Sequence, residues 1–324
     1  MTSDSAAIAR AAALLRAGGI VAMPTETVYG LAASAFDPRA VARVFEAKRR
    51  PSFDPLIVHI ADLDDLPRVA AEVPEPARAV AARFWPGPLT MVFPKRPEIP
   101  DIVTSGLPTV GVRFPDHPVA RALIRAAGIP LAAPSANPFG YISPTTAEHV
   151  REQLGDAVDA ILDGGPCRVG VESTILAWRP DGPALLRAGG TPVEALEEVA
   201  GPIARPAPRM PTATPDSPGQ LPRHYSPRTP LSLDASPEDF PAGARLGWLG
   251  LGRPAHPERY AAIESLSETG DLREAAARLF AAMHRLDALG LDAVLARPVP
   301  DDGLGLAVND RLRRAACGPG GPTP

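Results

Sequence analysis

Short apolar runs alternate with longer stretches of helical spacing along the first two hundred or so residues. Residues 3–17 are Ala-rich, open on Ser/Asp capping candidates and stop at Gly18-Gly19, which predicts a helix. Ile20-Val21-Ala22-Met23, closed by Pro24, reads as a buried strand. Residues 38–48 put Val41, Val44 and Phe45 on one face of a helix, and Leu56-Ile57-Val58-His59-Ile60 follows as a strand. The same reading gives helices at 76–84, 118–127 and 145–154, the last with a Ser/Thr-Pro start. It gives strands at 89–93, 110–113, 131–133, 160–162, 174–178 and 184–187. Strands and helices that alternate in this way predict an α/β sheet.

The rhythm breaks at 202–230, where nine of 29 residues are proline. Such chain is extended and stiff, either a spacer or a strap across a site. Beyond it, residues 245–251 and 293–296 read as strands. Residues 271–288 read as a helix, with Leu272, Ala276, Leu279, Phe280 and Met283 at helical spacing. The expected organisation is a larger α/β domain over 1–201, a Pro-rich strap over 202–230 and a smaller Rossmann-like α/β domain over 231–324. No internal repeat is visible.

Charge narrows the partners. The formal net charge is −4. Residues 1–200 carry 19 Lys/Arg and 23 Asp/Glu, and the remainder carries 14 of each. Neither part is basic, so the chain as a whole is no polyanion binder, although a local basic cleft remains open. Two distant cysteines, Cys167 and Cys317, form neither a disulfide framework nor a zinc pattern. No signal peptide and no apolar run of membrane-spanning length appears, which gives the expectation of a soluble, cytoplasmic protein.

The candidate chemistry lies in the polar segments that end the strands, where open α/β sheets bind ligands. Pro24-Thr25-Glu26-Thr27-Val28-Tyr29-Gly30 offers two hydroxyls, a carboxylate and a phenol; Thr-Glu-Thr equally suits a cap on the next helix. Lys48-Arg49-Arg50 at a helix end complements the helix dipole or binds a triphosphate. His59, alone on an apolar strand, would ordinarily be a core histidine. Phe84-Trp85-Pro86-Gly87-Pro88-Leu89-Thr90 reads as packing and a rigid turn. Alternation over 109–113 puts Thr109, Gly111 and Arg113 on one face. Arg113 there is a carboxylate clamp or a surface ion pair. Ala133-Pro134-Ser135-Ala136-Asn137, Ser143-Pro144-Thr145, Gly170-Val171-Glu172-Ser173-Thr174 and Leu185-Leu186-Arg187 add hydroxyls, turns and one more cation. No Walker A pattern, nucleophile elbow or His-Glu-x-x-His zinc motif is present. A set of Arg, Lys, Thr, Ser and His without a covalent nucleophile suits catalysis by positioning and charge stabilisation, as in nucleotidyl transfer.

In this order, the segments resemble the YrdC-type threonylcarbamoyl-AMP synthase family in its long two-domain form. The likeness extends through Ser217-Pro218-Gly219-Gln220 and His224-Tyr225-Ser226-Pro227 into Gly303-Leu304-Gly305-Leu306-Ala307 and Asp310-Arg311-Leu312. The resemblance implies a twisted mixed sheet around a deep positive cavity. It implies L-threonine held by Thr27, His59, Arg113 and Ser173, with Arg113 on the carboxylate. It implies ATP held by Lys48, Arg50, Thr109, Ser135, Ser143 and Arg187, with Tyr225 of the strap over the nucleotide. Asp54 stands among these phosphate-side residues where the family usually has Asn or Ser, and its charge opposes phosphate.

The implied reaction converts L-threonine, bicarbonate and ATP to threonylcarbamoyl-AMP and pyrophosphate, with Lys48, Arg50 and Arg113 as the catalytic cations. Mg²⁺ is expected on the phosphates rather than in a protein cage. The product would pass to a tRNA threonylcarbamoyltransferase, with weak tRNA binding possible and no membrane. The rival reading is a double-stranded RNA or tRNA-binding module without catalysis. A carbamoyl-transfer enzyme and an inactive homologue are further alternatives. The acidic balance, the absence of acylphosphatase and zinc-finger segments, and the intact candidate set argue against the three in turn.

Overall fold

The computed structural model describes residues 4–51, 53–205, 224–233 and 235–317. After Val21–Met23 (β1), the chain does not cap a helix with Thr-Glu-Thr. It turns through residues 24–29 and returns as Gly30–Ser34 (β2), antiparallel to β1 and wholly buried. Sequence reasoning missed β2 because Gly-Leu-Ala-Ala-Ser lacks the β-branched residues that mark strands. The other strands of this sheet are Ile57–His59 (β3), Leu89–Pro94 (β4), Thr109–Arg113 (β5), Leu131–Ala132 (β6), Ala160–Ile161 (β7), Thr174–Arg179 (β8) and Gly182–Arg187 (β9). They pair in the order β7-β1-β2-β6-β3-β5-β4-β8-β9, with parallel and antiparallel neighbours mixed.

Helices cover both faces. On one, Ser5–Arg16 and Pro118–Ala127 pack Ala11, Leu15, Leu123 and Ile124 against Val21, Met23 and Leu131. On the other, Pro38–Lys48, Glu75–Phe84, Ala147–Leu154 and Val193–Ala200 enclose Leu31, Val58, Met91 and Val112. The helix Pro38–Lys48 follows its sequence signals: Asp37 accepts hydrogen bonds from the Arg39 and Ala40 amides, and Pro38 occupies the first turn.

The second sheet is fully parallel: Leu231–Leu233 (β10), Leu246–Gly250 (β11), Ala262–Ser265 (β12) and Ala293–Ala296 (β13), in the order β10-β13-β11-β12. Helices Leu272–Asp287 and Gly305–Ala316 pack on it. This is the smaller Rossmann-like unit. Its core is not self-contained, because Val28, Ile142, Val171 and Tyr225 join Leu279, Phe280, Val308 and Leu312 in one apolar cluster. At Gly170 (φ +76°) the loop before β8 comes so close to the helix Leu272–Asp287 that a Cβ would lie 2.4 Å from the Ala276 oxygen. The two units are thus packed directly on one another.

Candidate active site

Sheet register sets a row of polar side chains. His59 on β3 lies opposite Arg113 on β5, and Arg113 lies opposite Thr90 on β4. Thr90 pairs with Ile175 on β8, which pairs with Arg187 on β9. Directly paired residues share a face, so His59, Arg113, Thr90 and Arg187 project together. His59, Arg113 and Arg187 open into one cleft that the 24–30 turn and His224-Tyr225 also line, while Thr90 meets Ser173 behind its wall.

The 24–30 turn is built to hold Arg113. Thr25 Oγ1 accepts from the Thr27 and Val28 amides (3.1 and 3.2 Å) and donates to the Val28 carbonyl (2.6 Å). In that turn Thr27 Oγ1 accepts from Arg113 Nη1 at 2.9 Å, and Glu26 accepts from Nη2 at 2.6 Å. All three side chains are buried. Two of the five N–H donors of the guanidinium are used, and Nε has no partner among the described residues. Beside it, His59 Nδ1 donates to the Ile57 carbonyl (3.2 Å). Burial, then the neighbouring Arg113 charge, pushes His59 down to about 3. It is a neutral imidazole at working pH.

The opposite wall carries Ser173 and Arg187. Arg187 donates to the Ser173 carbonyl (3.0 and 3.2 Å) and to its Oγ (3.2 Å), and Ser173 Oγ meets Thr90 Oγ1 at 2.8 Å. Their closeness needs Gly189: a Cβ there would stand 2.3 Å from the Glu172 oxygen and the Thr174 nitrogen. Glu172 takes Ser143 Oγ on one oxygen (2.7 Å) and Arg311 Nε on the other (2.8 Å). Burial alone would raise the Glu172 carboxyl; Arg311 and Arg187 outweigh it and hold the group below its ordinary range.

The third side is the end of the helix Pro38–Lys48. Arg49 adopts a left-handed backbone (φ +51°), so Lys48 and Arg50 turn inward and Arg49 outward. Lys48 Nζ donates to the Ser135 carbonyl (2.5 Å) and to that of Asn137. Burial, then the Arg50 charge, pushes Lys48 well below its usual value. Arg50 lines the cleft, donates to the Asp54 and Pro55 carbonyls (3.1 and 2.9 Å) and forms a 2.8 Å ion pair with the fully buried Asp54. Burial pushes the Asp54 carboxyl up, and Arg50 opposes the shift.

Most of the sequence-derived candidates come together here. Thr27, Arg50, His59, Arg113, Ser135, Ser173, Arg187 and Tyr225 line one cleft. Lys48, Asp54 and Ser143 stand behind its wall, each bonded to a wall residue. Thr109 is the exception. It shares a face with Arg113 as alternation requires, but four residues of extended chain separate them by roughly 13 Å. Thr109 lines a small neighbouring pocket with Leu107 and Thr104 rather than the cleft itself, and the two share Ile57. Ser217-Pro218-Gly219-Gln220 of the strap lies outside the described residues.

Sequence reasoning named Thr25, Glu172, His224 and Arg311 only within their motifs and gave none of them an individual site role. Arg311 carried a usable signal. It shares a helical face with Val308, Leu312 and Ala315, and an arginine inside an apolar stripe needs a buried partner. Among the described residues no group of three His, Cys, Asp or Glu could hold a metal, and no helix is long and apolar enough to cross a membrane.

Residues 13–189 match the Sua5/YciO/YrdC family, described as Telomere recombination, and residues 191–317 match the Threonylcarbamoyl-AMP synthase, C-terminal domain. The chain is 44% identical over 329 residues to the threonylcarbamoyl-AMP synthase of Bacillus subtilis, spanning 98% of this chain and 95% of that protein. It is 43% identical over 321 residues to the threonylcarbamoyl-AMP synthase of Pyrococcus abyssi, spanning 94% and 93%. Among solved structures, that of P. abyssi Sua5 complexed with L-threonine matches with a TM-score of 0.90 at 41% identity, over 97% of this chain and 95% of that one. With both domains matched in order and a cleft that gathers the arginines, hydroxyls and histidine described above, the chain belongs to the threonylcarbamoyl-AMP synthase family in its long, two-domain form.

Proposed function

We propose that the chain makes threonylcarbamoyl-AMP from L-threonine, bicarbonate and ATP in the cleft between β3, β5, β8 and the strap. Threonine occupies the end formed by Thr27, His59, Arg113 and Ser173. Arg113 receives its carboxylate through the donors that Thr27 and Glu26 leave open. ATP lies toward Arg50, Ser135 and Arg187, with Lys48 and Ser143 bracing that wall and Tyr225 over the nucleotide.

The reaction has two steps. The threonine amine attacks bicarbonate, a C–N bond forms and water leaves, giving a carbamate. A carbamate oxygen then attacks the α-phosphorus, the bond to the β-phosphate oxygen breaks and pyrophosphate departs. The burial of Arg50, Arg113 and Arg187 supports this, because fixed cations in a water-poor cleft stabilise charge that develops on phosphate. His59 is neutral and contributes hydrogen bonding and shape rather than charge. Mg²⁺ would enter on the phosphates of ATP, where it would neutralise their charge. The acyl-phosphate product is labile, and a strap that excludes water protects it until a tRNA threonylcarbamoyltransferase takes it.

The observation that carries the proposal is the sheet pair His59–Arg113 opening with Arg187 into one cleft. Duplex RNA would need its cations on an outer face, whereas Lys48, Arg50, Arg113 and Arg187 are all buried. The test is pyrophosphate release from ATP, measured with threonine and bicarbonate each omitted in turn. Release that requires both is expected; release indifferent to threonine would overturn the reading.

A further inference from the structure

The strap reaches the cleft in a strained form. Tyr225 is a bulky residue with φ +64°, and its ring is completely buried. Such a conformation persists only where its surroundings over-determine it. Two of those surroundings come from the C-terminal unit. Phe280 of the helix Leu272–Asp287 packs against the ring at 5.5 Å between centroids, and the Arg311 guanidinium lies 5.2 Å from the ring centre.

Arg311 is itself fully buried and fixed on two more sides. Nε donates to Glu172 in the cleft wall at 2.8 Å, and Nη1 donates to Asp310 at 2.8 Å. Asp310, partly exposed, also accepts from Arg314 Nε at 2.9 Å. Glu172 in turn carries Ser143 and precedes Ser173. One guanidinium therefore touches the strap, the acid in the cleft wall and its own helix, and its contacts to Tyr225 and Glu172 are buried, where cation–π and charged hydrogen bonds are strongest.

We infer that Arg311 is a positioning residue for the reaction: it holds Tyr225 of the strap and Glu172 of the wall in one geometry, so the C-terminal unit sets how the cleft closes over the nucleotide. The inference rests on the placement of ATP beneath Tyr225 proposed above. It gives the C-terminal unit a part in turnover beyond anchoring the strap's far end.

The test compares Arg311→Lys, Asp310→Asn, Tyr225→Ala and the Arg311→Lys/Tyr225→Ala double variant in the full chain. Arg311→Lys keeps a cation beside Glu172 but removes the planar group over the ring, and Asp310→Asn loosens the same guanidinium from its exposed side. Thermal melts identify which variants fold, so either single variant can decide the matter alone. Arg311→Lys should raise the KM for ATP about tenfold, with kcat changed far less. Asp310→Asn should act in the same direction by about threefold. Threonine affinity, read by calorimetry without ATP, should stay unchanged in both, which a general loosening of the fold would not allow. In the double variant the lysine substitution should add nothing to the loss from Tyr225→Ala. An unmoved KM for ATP in the folded Arg311 or Asp310 variants, or losses that multiply in the double variant, would overturn the inference alone. An unmoved KM in Tyr225→Ala would overturn the nucleotide placement, and the inference with it.

Discussion

At the scale of single residues, buried charges come with partners that limit what each can do. Arg113 is tied to Glu26 and Thr27, so truncation to alanine would strand a buried carboxylate and cost about 3–5 kcal/mol of stability. Arg113→Lys is the cleaner probe, since it keeps the charge and loses the fork. It should weaken threonine binding by about tenfold or more, as befits a lost bidentate contact, with ATP affinity little changed. Calorimetry with each ligand separately reads this, and parallel losses would mean that Arg113 serves the whole cleft. Asp54 poses the opposite problem. Its carboxylate neutralises Arg50 at 2.8 Å, next to where phosphates are proposed to lie. Asp54→Asn should free that cation and lower the KM for ATP, while the lost ion pair lowers the melting temperature. A raised KM would instead make Asp54 the group that aims Arg50.

At the scale of elements, most helices and strands of the first unit were legible because their apolar spacing and caps agree; Pro38–Lys48 and Pro118–Ala127 follow their sequence signals to the residue. The failures share a cause. β2 is made of Gly, Leu, Ala and Ser, and Ala262–Ser265 ends in Glu-Ser, so neither carries a strong strand signature. The helix Val193–Ala200 lacks a side-chain cap, and Gly305–Ala316 follows a Gly-rich stretch that hides its start. Loop residues were readable as chemistry but not as geometry. Nothing local separates outward Arg49 from inward Lys48 and Arg50, since the split depends on a single left-handed residue. Gly189 is the sharpest case: its place at the end of β9 lets the Glu172–Thr174 backbone come within contact of it. Gly189→Ala should cost about 1–3 kcal/mol through overpacking. It should also suppress pyrophosphate release more than that loss explains, because it displaces Ser173. Melting and turnover measured on the same preparation separate the two effects.

At the scale of the whole molecule, the cleft is assembled from distant segments, and its last wall, His224-Tyr225 of the strap, is backed by Phe280 and Arg311 of the C-terminal unit. That is why Arg311 and Glu172, though quoted within their motifs, received no individual role in a reading that worked outward from strand ends. The same packing buries histidines without charge. Burial pushes His59 and His284 down to about 3 and His149 down to about 4. His149 and His284 stack at 4.0 Å where the helix Ala147–Leu154 meets Leu272–Asp287, with Arg285 and Glu148 near the first and Asp287 and Arg228 near the second. In the unfolded chain each histidine takes up its proton near pH 6.5. Between that value and the folded values the unfolded state binds more protons, so stability falls as pH falls. His59 alone should remove about 1.4 kcal/mol by pH 5.5, and His284 a similar amount. Glu172, held below its ordinary range, adds its own loss only at lower pH, and Asp54, pushed up, acts in the opposite direction. The melting temperature should therefore be flat from pH 8 to 7 and decline steadily from 6.5 to 5.5. His284→Gln should make that decline shallower by about one proton's worth. A wild-type profile that stays level to pH 5.5 would mean that these histidines are protonated in the folded chain, and that the interface between the two units opens enough to solvate them.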